Sequence, residues 1–121
     1  MNSDVRRNKW EREEVVVLVT EYFRTKDLSS EEIEKAYSSL SRFLRSRMEM
    51  ISGENVDDTF RNYAGICLQA SRIRCLDPDT EYNGMVGTKL QTQIVEEYLS
   101  NPQEICAEAS TIYTKYGLEN K

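Results

Sequence analysis

Phe60-Arg61-Asn62-Tyr63-Ala64-Gly65-Ile66-Cys67-Leu68-Gln69-Ala70-Ser71-Arg72-Ile73-Arg74-Cys75-Leu76-Asp77-Pro78 reads as one helix with a polar start, an apolar stripe and a basic end. Asp58 and Asn62 are both able to cap it, because a short side-chain acceptor satisfies the unpaired amide groups of a first turn. Asn62 is the better start, with Phe60 as a packing anchor before it. Ile66, Ala70, Ile73 and Leu76 share one face at helical spacing, and Cys67 lies beside them. Asp77-Pro78 ends the helix, since a residue before proline avoids the helical region.

Upstream, Ser29 and Glu32 form a capping box that opens a second helix. Its inward positions are Ile33, Ala36, Tyr37, Leu40, Phe43, Leu44 and Met48, and it fades near Met50, leaving 51–58 as a loop. A further helix runs from about Lys9 to Arg24, with Trp10, Val15, Val16, Val19, Tyr22 and Phe23 as its stripe. Glu11, Glu13 and Glu14 sit in its first turns, where carboxylates complement the helix dipole. The run Val15 to Val17 alone would suit a strand, but the length of the stripe and the flanking charges favour helix. Residues 1–8 are polar and are expected to be flexible.

Downstream, 79–87 is a loop rich in turn formers, including Asn83-Gly84 and Gly87. A helix starts near Thr88 and turns Leu90, Ile94, Val95, Tyr98 and Leu99 inward. Asn101-Pro102-Gln103-Glu104 gives cap, first-turn proline and glutamate in order, and the last helix runs to about Tyr116 before Gly117. The expectation is an all-α chain of about five helices, one domain over 9–121.

The composition narrows function. The 121 residues are 39% hydrophobic and 31% charged, with a net charge of −5. Acidity disfavours non-specific phosphate binding, yet Arg61, Arg72 and Arg74 cluster in one segment and Arg42, Arg45 and Arg47 in another. There is no histidine, which removes the common acid–base, nucleophilic and metal arrangements, so no enzyme activity, cofactor or metal is expected. Cys67, Cys75 and Cys106 form no Cys-x-x-Cys pair and read as small buried hydrophobes in a reducing, cytoplasmic setting. No apolar run reaches the about 20 residues that span a bilayer.

Asn62, Gln69 and Arg72 lie outside the apolar stripe. Asn, Gln and Arg side chains are able to form paired hydrogen bonds to base edges. Arg72 and Arg74, with Lys89 beyond the loop, are placed to reach phosphates. The plainer alternative is that these side chains only solvate an outer face.

These same residues carry a resemblance. The sequence resembles the N-terminal module found ahead of the nuclease domain in many bacterial HNH endonucleases and restriction-type proteins. The features are Trp10, Glu13, Glu14 and Tyr22, then Phe60-Arg61-Asn62, Gly65-Ile66, Gln69, Arg72-Ile73, Leu76-Asp77-Pro78 and Gly84, with Val95, Glu97 and Tyr98 following. The resemblance covers about residues 9 to 100 and implies a trihelical, helix-turn-helix-like core with two C-terminal helices. It implies recognition of double-stranded DNA, with Arg61, Asn62, Gln69 and Arg72 as contacts beside Arg74 and Lys89. No histidine is present to build the nuclease, so the expectation is a binding module or a stand-alone relative. The alternative partner is a protein, met through surplus aromatics such as Tyr63, Tyr82 and Tyr113, as for a regulator or antagonist of a nucleic-acid system.

Overall fold

The computed structural model describes residues 9–117, so the expectations for 1–8 lie outside the described residues. Among the described residues five helices form: α1 (Arg12–Thr25), α2 (Ser30–Ser52), α3 (Tyr63–Leu76), α4 (Lys89–Ser100) and α5 (Pro102–Lys115). The class is all-α, and no strand occurs among the described residues.

Helix α1 packs against each of the other four. This explains its valines: Val15, Val16, Val17, Leu18 and Val19 are all buried, because neighbours surround the helix on every side. A one-sided stripe was the expectation, and the all-round burial replaces it. The helix begins at Arg12 rather than Lys9, and Glu11 precedes it with its N–H donating to Glu14 Oε1 at 2.9 Å.

Helices α1, α2 and α3 pack pairwise against one another, and α4 and α5 close the other side of α1. Helix α2 runs past Met50 to Ser52, where Gly53 takes a left-handed φ of 75° and donates its N–H to the Glu49 carbonyl. Helix α3 is capped by Asn62, whose side chain accepts from the Gly65 N–H at 2.8 Å. Helix α4 is capped by Thr88 in a reciprocal box with Gln91, and α5 by Asn101 with Pro102 in its first turn. Gly87 sits where a Cβ would come within 2.6 Å of the Leu76 side chain, so a larger residue there requires Leu76 to shift.

Charged pairs lock the helices around α1. Arg12 donates to Glu108 on α5 and to Glu97 on α4 at 2.9 and 2.7 Å. Glu13 receives the Tyr116 hydroxyl at 2.7 Å, the Lys115 ammonium at 3.0 Å and Arg47 from α2. Burial alone would raise the Glu13 pKa, but these donors overcome it and hold the carboxyl at about 2. The expected arginine cluster on α2 is thereby split: Arg47 is buried, Arg45 donates to the Asp57 and Phe60 carbonyls, and only Arg42 is fully exposed. The cysteines also differ from expectation, since Cys67 and Cys75 are half-buried and Cys106 is exposed, all three unpaired.

Candidate nucleic-acid interface

The structure places the six sequence-derived candidates in four different settings. Arg61 is turned inward, which corrects the expectation of an outward-facing arginine. It is 7% exposed, in a left-handed conformation with φ 47°. Its Nε donates to Glu14 Oε2 at 2.6 Å and its Nη2 to Glu14 Oε1 at 3.0 Å. The guanidinium lies over the Trp10 and Phe60 rings at 4.6 and 4.4 Å from their centroids. Ser41 Oγ donates to the Arg61 carbonyl at 2.7 Å. A charge held this way, against a carboxylate that is 0% exposed, serves α1 and cannot also meet a phosphate.

Asn62 is engaged as the cap of α3, its carbonyl oxygen accepting from the Gly65 N–H. Arg74 is exposed with its guanidinium over the Tyr82 ring at 4.6 Å. It borders a cavity of about 490 Å³ between α1, α2 and α3, together with Lys26, Tyr37, Asp27 and Asp79. Its surroundings are therefore mixed in charge.

Gln69, Arg72 and Lys89 belong together. Gln69 and Lys89 border a second cleft of about 490 Å³, with Lys9, Trp10, Gln91 and Gln93. None of the described residues lining this cleft is acidic. Arg72 lies one turn beyond Gln69 on α3, and its Nη1 donates to the Val86 carbonyl at 2.7 Å, just ahead of the Thr88 cap. The N-terminus of α4 thus brings Lys89 to the outer side of α3.

The amides in the cleft have a fixed direction. The Thr88 N–H donates to Gln91 Oε1 at 2.9 Å. Gln91 Nε2 then donates to Gln69 Oε1 at 2.8 Å. That order leaves the Gln69 Nε2 group as a donor without a partner among the described residues. Gln91 is buried, so the relay is anchored in the core.

Sequence reading missed Lys9, Trp10, Gln91 and Gln93 as lining residues. Thr88 and Gln91 carry the capping-box spacing that marks Gln91. Nothing local in the sequence brings Lys9 and Trp10 to α4, because that approach depends on α1 packing across the domain.

The apolar surface is also informative. Leu68, on the outer side of α3, is 46% exposed, and Val86 in the following loop is 76% exposed. Of the aromatics expected to form a protein-binding patch, Tyr63 is exposed, while Tyr82 lies under Arg74 and Tyr113 packs on Phe43.

The residues that carried the resemblance pair off inside the fold. Trp10, Glu14, Phe60 and Arg61 meet at one point. At another, buried Asp77 accepts from the Tyr22 hydroxyl and from Lys26 Nζ, both at 2.8 Å. Burial would raise the Asp77 pKa, but Lys26, the Asp79 N–H and Tyr22 hold it below the ordinary range.

Comparison of the chain with protein-family models, curated proteins and solved structures gave no match. Among the described residues no cysteine and carboxylate group is arranged to hold a metal ion, and no helix is long and apolar enough to cross a membrane.

Proposed function

We propose that this chain is a DNA-binding module that presents the outer side of α3 and the start of α4 to a duplex. The observation that carries the reading is the acid-free cleft: in a chain of net charge −5, Lys9 and Lys89 flank Gln69, Gln91 and Gln93 with no carboxylate among the described lining residues. Arg72 extends this surface, its guanidinium donating to the Val86 backbone carbonyl. Local cationic surface of this kind supplies phosphate contacts, and the amides supply polar contacts to bases. The resemblance to the module ahead of HNH nucleases agrees with this reading, and the unpaired cysteines suit a reducing, cytoplasmic setting. The contacts in this proposal are Lys9, Gln69, Arg72 and Lys89; Arg61 and Asn62 support the fold.

Fluorescence anisotropy of a labelled duplex at low salt tests it. The expected result is saturable binding that weakens at least tenfold in the Arg72→Ala, Lys89→Ala double variant. Arg42→Ala, in an α2 groove that also holds Glu31 and Glu34, should leave binding unchanged. Absence of any complex with the unaltered chain contradicts the proposal.

A second reading is favoured by one observation. Exposed Leu68 and Val86 adjoin Arg72, which suits an apolar contact with a protein partner. On that reading the unaltered chain captures a protein but binds no duplex, and the uncharged Leu68→Ala abolishes the capture.

A further inference from the structure

The acid-free cleft has features that phosphate contact alone does not need. Its volume of about 490 Å³ falls within the about 300–1,000 Å³ common to small-ligand sites. Trp10 borders it, with part of the ring covered by the Arg61 guanidinium. Arg61 is itself fixed by Glu14, so the indole is held in place from behind. Leu90 adds an apolar wall. Opposite in chemistry is the Gln69 amide, whose Nε2 donor has been left open by the relay from the Thr88 cap through Gln91. Lys9 and Lys89 contribute positive charge at the same cleft.

An aromatic ring, an oriented amide donor and flanking cations are what an unstacked nucleobase on a charged strand requires. A base has a flat face for the indole and acceptor atoms on its edge for the amide, and its neighbouring phosphates match the lysines. A purely apolar ligand would leave the Gln69 donor and both lysines without a role. An acidic peptide would use the lysines but not the ring and amide together.

We propose that this cleft receives a single unstacked nucleobase of a bound strand, stacked on Trp10, with an acceptor on its edge facing Gln69 Nε2 and its adjoining phosphates near Lys9 and Lys89. The proposal rests on the nucleic-acid reading above and adds a base-accepting site to it.

The chain has a single tryptophan, so emission excited selectively at the indole, clear of the seven tyrosines, reports on this cleft. The unaltered protein is titrated with a short thymidine oligonucleotide, with a duplex carrying one unpaired thymine, with the fully paired duplex and with free thymidine monophosphate. Labelled strands give anisotropy in parallel. The expected result is saturable change in Trp10 emission with the single strand and the bulged duplex, and at least tenfold weaker binding of the free nucleotide. Gln69→Glu keeps an acceptor for Gln91 but removes the donor, and the uncharged Gln69→Leu removes it without adding charge. Both should weaken the fluorescence response at least tenfold in variants whose melting curves remain cooperative. If strands bind by anisotropy while Trp10 emission stays unchanged, the base site is wrong and the DNA-binding reading stands. If the free nucleotide binds as tightly as the strand, the strand-borne base is wrong. If no strand binds by anisotropy, both readings fall.

Discussion

Arg61 shows how a side chain's chemistry and its role separate. Its guanidinium suits a phosphate, yet buried Glu14 claims it through two hydrogen bonds, and Trp10 and Phe60 cover it. Removing one partner of a buried pair leaves an uncompensated charge, at a cost of about 3–5 kcal/mol. Arg61→Ala should therefore lower unfolding free energy by about that amount in urea melts. A loss of less than about 1 kcal/mol would show that the pair is not buried in solution. Arg72 should behave in the opposite way. It is half-exposed and bonded to one carbonyl, so Arg72→Ala should change stability by no more than about 0.5 kcal/mol while weakening duplex binding. The sequence held no sign of this division. Arg61 and Glu14 are 47 positions apart, and only the packing of α1 brings them together.

Helix limits were the most legible feature, because caps are local chemistry. Asn62 before α3, Ser29 with Glu32 before α2, and Asn101-Pro102 before α5 all lie where the spacing placed them. The end of α2 was less legible: the helix runs two residues past Met50 and stops where Gly53 takes a left-handed turn. Trp10 was assigned to the α1 stripe, whereas the helix starts later and leaves Trp10 beside the cleft. Of the proposed contacts, Gln69 and Arg72 were legible because they stand outside the apolar stripe, and Lys89 as a cation just beyond the loop. The remainder of the cleft depends on contacts between helices distant in sequence. Asn62→Ala removes the α3 cap and should cost about 1 kcal/mol by thermal or urea unfolding. Because Asn62 does not border the cleft, duplex affinity should be retained once folding is accounted for. A selective loss of affinity would return Asn62 to the contact surface.

The domain is organised around α1, which buries its apolar length among four neighbours and directs its first-turn acids to basic partners on α2, in the turn before α3 and on α5. This arrangement predicts an acid limb in stability. The Glu13 carboxyl is lowered from 4.5 to about 2 on folding, so its contribution is complete above pH 4.5 and declines as pH falls toward 2. Thermal unfolding followed by circular dichroism should show a midpoint that falls across that window, and Glu13→Gln should flatten the fall. A midpoint independent of pH there would mean that the Tyr116, Lys115 and Arg47 donors do not hold the carboxyl in solution. With Arg12, Arg24, Lys26, Arg47, Arg61 and Lys115 held in ion pairs, the molecule has Lys9, Arg72 and Lys89 at or beside one cleft with no acid among its described lining residues. Three phosphate contacts would give a logarithmic slope of duplex affinity against salt of about −3. The decisive measurement is that salt titration, carried out by anisotropy on the unaltered chain and on the Arg72→Ala, Lys89→Ala double variant. The account predicts a slope near that value for the first and one close to −1 for the second (about 0.9 per remaining contact). Binding that is insensitive to salt, or a slope unchanged in the variant, would contradict it.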